Sequence, residues 1–167
     1  MVVGIGGASR AGKTTLAERL KQYFQQEGKP TTILHQDEFV FPIEQIPRIN
    51  DLVDWECPAS IDFRKLRQAI EERLLQFRVV LVEGLLAFAD PAVDELYDKK
   101  IFLDIDEATF RERKASDRRW GMEPTWYVDH IWNSYCKYGR PAVEGHDWLV
   151  LNAAVPIDLA EVIRFLR

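Results

Sequence analysis

Apolar positions along this chain follow two alternating rhythms. Short β-branched or aliphatic runs at residues 2–5, 31–35, 79–82, 100–104 and 148–151 predict strands. Between the first two, residues 13–26 place Leu16, Leu20 and Phe24 at the i, i+4, i+8 spacing of an amphipathic helix, which Gly28 and Pro30 should end. Residues 63–77 repeat the pattern with Leu66, Ile70, Leu74 and Phe77, and Asp62 stands where an N-cap belongs. Residues 108–119 are helical in period and basic, and residues 156–166 read as a closing helix opened by Pro156.

Strands alternating with helices predict βαβ units and hence an α/β fold, in which a five-stranded parallel sheet carries helices on both faces. No internal repeat or linker interrupts the 167 residues, so residues 1–167 read as one domain, large enough to bury about 70% of the surface its unfolded chain exposes. Two stretches refuse the alternation. Residues 38–61 are rich in proline, aspartate and aromatics, and residues 117–127 carry Arg118, Arg119, Trp120, Gly121 and Pro124. Long irregular connections in a compact domain are usually functional, so a substrate cover is expected at about 38–61 and a small helical lid at about 113–127.

Charge narrows the classes of partner. The 22 Lys and Arg against 27 Asp and Glu leave a net charge of −5, the wrong sign for wrapping nucleic acid through its phosphates. A small anionic ligand stays compatible, because a few local donors and a cation outweigh a mildly acidic surface at close range. Cys57 and Cys136 form no metal-ligand or disulfide spacing. The most apolar stretch, residues 79–89, includes Glu83 and falls short of the ~20 residues of a membrane span. With no basic leader at the start, a cytoplasmic location is expected.

The chemistry begins at Gly7-Ala8-Ser9-Arg10-Ala11-Gly12-Lys13-Thr14, which fits GxxxxGK[ST] between a predicted strand and a predicted helix. Such a loop curls so that backbone N–H groups point at phosphate oxygens, while the new helix aims its positive end at the same anion. The residues from Gly7 to Thr14, with Thr15, are therefore the expected nucleotide site. Lys13 would reach the β and γ phosphates of ATP and Thr14 would bind Mg²⁺. Phosphoryl transfer to an alcohol also needs a carboxylate near the attacking hydroxyl. Asp37, with Glu38 beside it, follows the second predicted strand, and Glu83 follows the third. In a parallel sheet both emerge at the edge that carries the phosphate loop. Asp37 is the expected base or acceptor-orienting group and could also approach the metal, and Glu83 is expected as a water-mediated Mg²⁺ partner.

Taken together, these residues resemble the uridine kinase and nicotinamide riboside kinase group of P-loop kinases, the nicotinamide riboside kinases most closely. The likeness rests on residues 4–9 and 12–17, on Gln36-Asp37-Glu38-Phe39, on Trp55-Glu56, on residues 82–88, and on Asp129-His130-Ile131-Trp132 with Tyr135 and Lys137-Tyr138. It implies the three-layer P-loop fold and an ATP- and Mg²⁺-dependent phosphorylation of a nucleoside at its ribose 5′-hydroxyl. By the same resemblance, Asp37 activates that hydroxyl and Glu56 holds the ribose 2′ and 3′ hydroxyls. Trp55 and Trp120 flank the base, Phe39 lies on the acceptor side, and Arg113 and Arg118 contact phosphate or ribose. The ribose-binding acid of the group is aspartate, so Glu56 departs from it by one methylene. One residue is also inserted near Asp117, so the lid arginines align only approximately.

Other residues read as structural. Trp132, Tyr135 and Tyr138, three apart, are expected to pack a helix onto the domain. His35, His130 and His146 lie in no cluster with acids, and Arg111 and Lys114 are expected on a solvated helix face. Asp104 is expected simply to end its strand. Uridine or cytidine is the alternative acceptor, another small alcohol a further one. A nonenzymatic nucleotide switch is the reading from a different class, although no guanine-reading NKxD segment is present. The donor's base preference and the oligomeric state have no signature in the sequence.

Overall fold

The computed structural model describes residues 1–117 and 123–167. Its strands are β1 (Val2–Gly7), β2 (Thr31–His35), β3 (Arg48–Ile49), β4 (Leu52–Val53), β5 (Val79–Gly84), β6 (Lys99–Asp104) and β7 (Trp148–Asn152). The helices are α1 (Lys13–Gln26), α2 (Phe63–Leu74), α3 (Pro91–Asp94), α4 (Glu107–Ala115), α5 (Thr125–Ser134) and α6 (Leu159–Leu166). Five strands form one sheet in the order β2-β5-β1-β6-β7, with every pairing parallel. The expected α/β architecture is thereby realised.

Alternation within the central strands explains the layers. Val3 and Ile5 of β1, with Val79 and Leu81 of β5, pack into one core with Leu16, Leu20 and Phe24 of α1. Val2, Val80 and Val82 point the other way, into a second core with Leu66 and Ile70 of α2 and Val93 of α3. A sheet covered on both faces needs strands that are apolar on both sides, which is why these segments read as continuous apolar runs. The strong stripe of α1 and the Asp62 cap of α2 also appear as expected, Asp62 accepting from the Lys65 N–H at 3.1 Å.

Several boundaries differ from the sequence expectation. The second long helix stops at Leu74 because the chain tightens there, Leu75 N–H and Gln76 N–H turning back to Glu72 and Arg73 carbonyls. Helix α4 starts one residue early, capped by Asp106, and ends at Ala115. The last helix starts at Leu159 rather than Pro156, because Asp158 caps it by accepting from Ala160 N–H at 2.9 Å. Nor is the stretch 38–61 featureless. It holds the β3–β4 hairpin, turned by Asn50 and Asp51 at φ 45° and 62°, the sign that tight two-residue hairpin turns require. A bridge between Val40 and Ile61 closes its base.

Candidate functional site

The phosphate loop joins β1 to α1 along the carboxyl edge of the sheet. Gly12 sits at φ 95°, a left-handed conformation that side chains resist, and α1 begins directly after it with no side-chain cap and no acid in its first turn. The positive end of the helix therefore faces the loop with no acid of its own first turn beside it, which favours an anion there. Lys13 Nζ donates to the Ala8 carbonyl at 2.9 Å, which folds the lysine back over the loop. Ala8 and Ala11 are buried, Ser9 is half-buried, and Arg10, Thr14 and Thr15 face outward.

Glu83 is placed within β5 rather than after it, and it is only 6% exposed. Its neighbours on the two flanking strands are Ile5 and His35. Glu83 Oε1 accepts the Thr14 hydroxyl at 3.0 Å and faces His35 Nδ1 at 2.7 Å. His35 is thus paired with an acid, contrary to the sequence reading. Burial works against the charged ring, but the hydrogen bond to Glu83 and the charges of Glu83, Glu38 and Asp37 outweigh it and raise the His35 pKa. A hydroxyl and a carboxylate side by side at a helix N-terminus form a hard oxygen donor set of the kind Mg²⁺ takes together with phosphate and water. Among the described residues no group of three or more His, Cys, Asp or Glu forms a closed metal cage.

Asp37 lies in the single turn Gln36–Glu38 that follows β2, with its side chain exposed. The turn is anchored by Gln36, which is buried and accepts the Leu86 N–H at 2.9 Å through Oε1. Gly84 makes room for it, since a Cβ there would lie 2.3 Å from Gln36 Oε1. Gln36 therefore locks the end of β2 to the chain just after β5 and anchors the turn from which Asp37 faces solvent. Phe39 packs partly against the second core.

The loop after β4 carries Trp55 and Glu56. Trp55 is 42% exposed, so it does not plug the core and offers its indole to solvent. Glu56 is half-buried; burial pushes its carboxyl up to about 7, the positive charge of Lys114 opposes that, Asp54 reinforces it, and His130 and Lys13 oppose it. The charges of Lys114 in α4, of His130 in α5 and of the phosphate-loop Lys13 therefore all act on Glu56. Lys114 is not on a solvated face. It is buried and pairs with Glu123 at 2.7 Å. His130, also expected to lie apart from acids, pairs with Asp54 at 2.7 Å. Arg111 does lie toward solvent, where it bridges Glu107 and Asp129.

Arg113 reaches the phosphate loop from behind, donating to the carbonyls of Arg10 at 3.1 Å and Ala153 at 2.7 Å. Those contacts brace the loop. Arg118 and Trp120 lie outside the described residues. Asp104 does more than end β6, because it accepts from the Tyr135 hydroxyl and Arg140, each at 3.2 Å. Tyr135 is fully buried and Trp132 packs against the first core, as the three-residue spacing implied. The contacts of His35, Gln36, Asp54 and His130 escaped the sequence reading because their partners are distant in the chain, and the pair of Lys114 with Glu123 because a basic helix gives no sign of such burial. No helix among the described residues is long and apolar enough to cross a membrane.

No protein-family profile matches the chain. Human nicotinamide riboside kinase 1 is 23% identical over 167 residues, covering 90% of this chain and 81% of that protein. Uridine kinase-like protein 3 of Arabidopsis thaliana is 24% identical, covering 86% of this chain and 35% of that longer protein. Among solved structures, a sugar kinase from Janibacter sp. HTCC2649 superimposes with a TM-score of 0.66 at 16% identity, over 98% of this chain and 90% of that one. By sequence the chain is thus similar to the nicotinamide riboside and uridine kinases, and its fold is that of the P-loop kinases.

Proposed function

We propose that the chain is a nucleoside kinase that transfers the γ-phosphoryl group of ATP to the ribose 5′-hydroxyl, with nicotinamide riboside the preferred acceptor and uridine or cytidine the next candidates. What supports this reading is a phosphate loop and a candidate acceptor loop whose charges act on each other. Thr14 and Glu83 meet at 3.0 Å beside the phosphate loop, and the positive charge of Lys13 is among those that oppose the raised Glu56 carboxyl of the loop after β4. A donor site and an acceptor site facing one cleft is what in-line transfer demands.

In this reading the loop amides from Gly7 to Thr15 cradle the triphosphate, and Lys13 exchanges the Ala8 carbonyl for phosphate oxygens. Thr14 and Glu83 would hold Mg²⁺, Glu83 through water, and the ion would neutralise charge on the β and γ phosphates. Asp37, exposed at the end of β2, accepts the proton of the attacking hydroxyl. Glu56 suits a vicinal diol, since a carboxylate accepts two hydrogen bonds and a neutral acid can still accept one and donate one. Trp55 supplies a flat apolar face for the base, worth about 0.5–2 kcal/mol more if the base is cationic. The cover at 38–61 and the lid at 113–127 would exclude water, which otherwise makes such a site an ATPase.

The deciding experiment is turnover with Mg-ATP across a panel of nicotinamide riboside, uridine, cytidine and adenosine, with products identified as 5′-monophosphates by mass spectrometry. Nicotinamide riboside is expected to show the highest kcat/KM. Turnover confined to a non-nucleoside alcohol such as pantothenate, or hydrolysis stimulated by nucleic acid, would sink the proposal.

A further inference from the structure

We propose that Asp54 and His130 form a latch through which helix α5 fixes the acceptor-binding turn, making His130 a positioning residue for Glu56; the assignment of Glu56 to the acceptor rests on the function proposed above. The two residues are 76 positions apart and meet at 2.7 Å, His130 Nε2 to Asp54 Oδ1. A carboxylate only accepts, so Nε2 carries the proton in this contact. The same Asp54 oxygen accepts the backbone N–H of Glu56 at 3.1 Å. That closes a turn in which an aspartate side chain captures the amide two residues on. One oxygen atom thus ties the backbone origin of Glu56 to a side chain on α5.

Burial separates this contact from an ordinary surface pair. The side chains are 17% and 13% exposed, so water competes weakly for either partner. The neighbouring ties of the turn are internal to the loop: Cys57 Sγ to the Asp54 carbonyl at 3.4 Å and Ser60 Oγ to the Trp55 carbonyl at 3.0 Å. These shape the turn but do not place it. Placement comes from α5, through His130 and through a longer reach of the Tyr127 hydroxyl to the Val53 carbonyl at 3.5 Å.

The test compares H130F, H130Q and D54N with the unsubstituted protein in steady-state kinetics and in hydrogen exchange of the peptide spanning residues 53–57, without nucleoside. H130F should raise the nucleoside KM about 5- to 20-fold with kcat and the ATP KM within about twofold, the signature of lost acceptor positioning. H130Q, whose amide can still donate to Asp54, should restore most of the affinity. Exchange at the Glu56 amide should quicken about tenfold in H130F and D54N, and the double variant should be no worse than the poorer single one. If H130F does not fold, H130Q against D54N gives the same contrast. Unchanged exchange in the latch variants overturns the latch whatever the activity, and faster exchange with an unchanged nucleoside KM overturns the positioning role. Faster exchange in a protein that phosphorylates no nucleoside leaves the latch standing and removes the function instead.

Discussion

The Thr14 hydroxyl donates its proton to Glu83 across 3.0 Å, which leaves its oxygen lone pairs available to a cation. The same Glu83 Oε1 faces His35 Nδ1 at 2.7 Å, so one carboxylate oxygen is shared by the hydroxyl and the imidazole. Outer partners of this kind commonly change metal affinity by 10–100-fold when lost. E83Q is expected to raise the Mg²⁺ concentration for half-maximal rate by about that factor, with little change in the nucleoside KM. Titration of MgCl₂ at fixed ATP measures it, and an unshifted midpoint would remove Glu83 from the metal site.

Asp37 is exposed in the turn that its neighbour Gln36 anchors, and its side chain makes no hydrogen bond or ion pair among the described residues. D37N should therefore fold with unchanged thermal stability and bind ATP normally, while kcat falls about 10²- to 10⁴-fold, the usual worth of a positioned base. A kcat within threefold of the original would show that the acceptor hydroxyl is activated elsewhere.

The raised carboxyl of Glu56 makes stability depend on pH. Its folded pKa of about 7 stands above the ordinary value of 4.5, so between those values the native state holds a proton that the unfolded chain has lost. Stability from this group is full below about pH 4.5 and falls as pH rises to about 7. E56Q removes the penalty and is expected to gain about 1–3 kcal/mol over the original protein at pH 8 and almost nothing at pH 4.5. Urea unfolding at the two pH values measures the difference; an equal effect at both would mean that Glu56 is not desolvated. Nucleoside affinity should fall in the same variant.

Lys114 is a buried ammonium whose charge serves both Glu123, at 2.7 Å, and Glu56. K114M should cost about 3 kcal/mol, because one partner of a buried pair is left uncompensated, and it should push the Glu56 carboxyl still higher. K114M/E123Q should recover part of the loss. A loss below about 0.5 kcal/mol in K114M, the range of exposed pairs, would contradict the burial.

Gly84 is a matter of space rather than of backbone freedom. A Cβ there meets Gln36 Oε1 at 2.3 Å and Gln36 Cβ at 2.5 Å, so G84A must displace the side chain that holds the Leu86 N–H. A destabilisation of about 1–3 kcal/mol is expected from the crowding and the lost bond, together with a lower kcat because Asp37 follows Gln36 in the same turn. Chemical denaturation and turnover of one preparation test both.

What could be read from the residues in order was what the chain does locally. The five strands, α1 and the Asp62 cap each announce themselves within a window of a dozen residues, and the loop from Gly7 to Thr14 carries its meaning in its own letters. Pro156 misled because proline suits a first helical turn, yet Asp158 two residues on offered the stronger cap. The pairs that finish the site were not readable. His35 meets Glu83 across 48 positions and Asp54 meets His130 across 76, and neither spacing means anything until the strand order is known. Lys114 looked like a surface charge because a basic helix with polar neighbours gives no sign that Glu123 returns to cover it.

The strand order also sets a schedule for folding. The strand that bears the phosphate loop is the middle one, and its partners come late: Val2 lies beside Val80, and Val3 beside Lys99. Parallel neighbours so far apart along the chain must close long loops before either gains a contact, which makes such topologies slow to form. On a ribosome the loop emerges early but has no sheet to brace it until β6 has followed. A nascent chain halted before residue 99 should therefore ignore ATP, although every letter of the phosphate-binding motif has already been made.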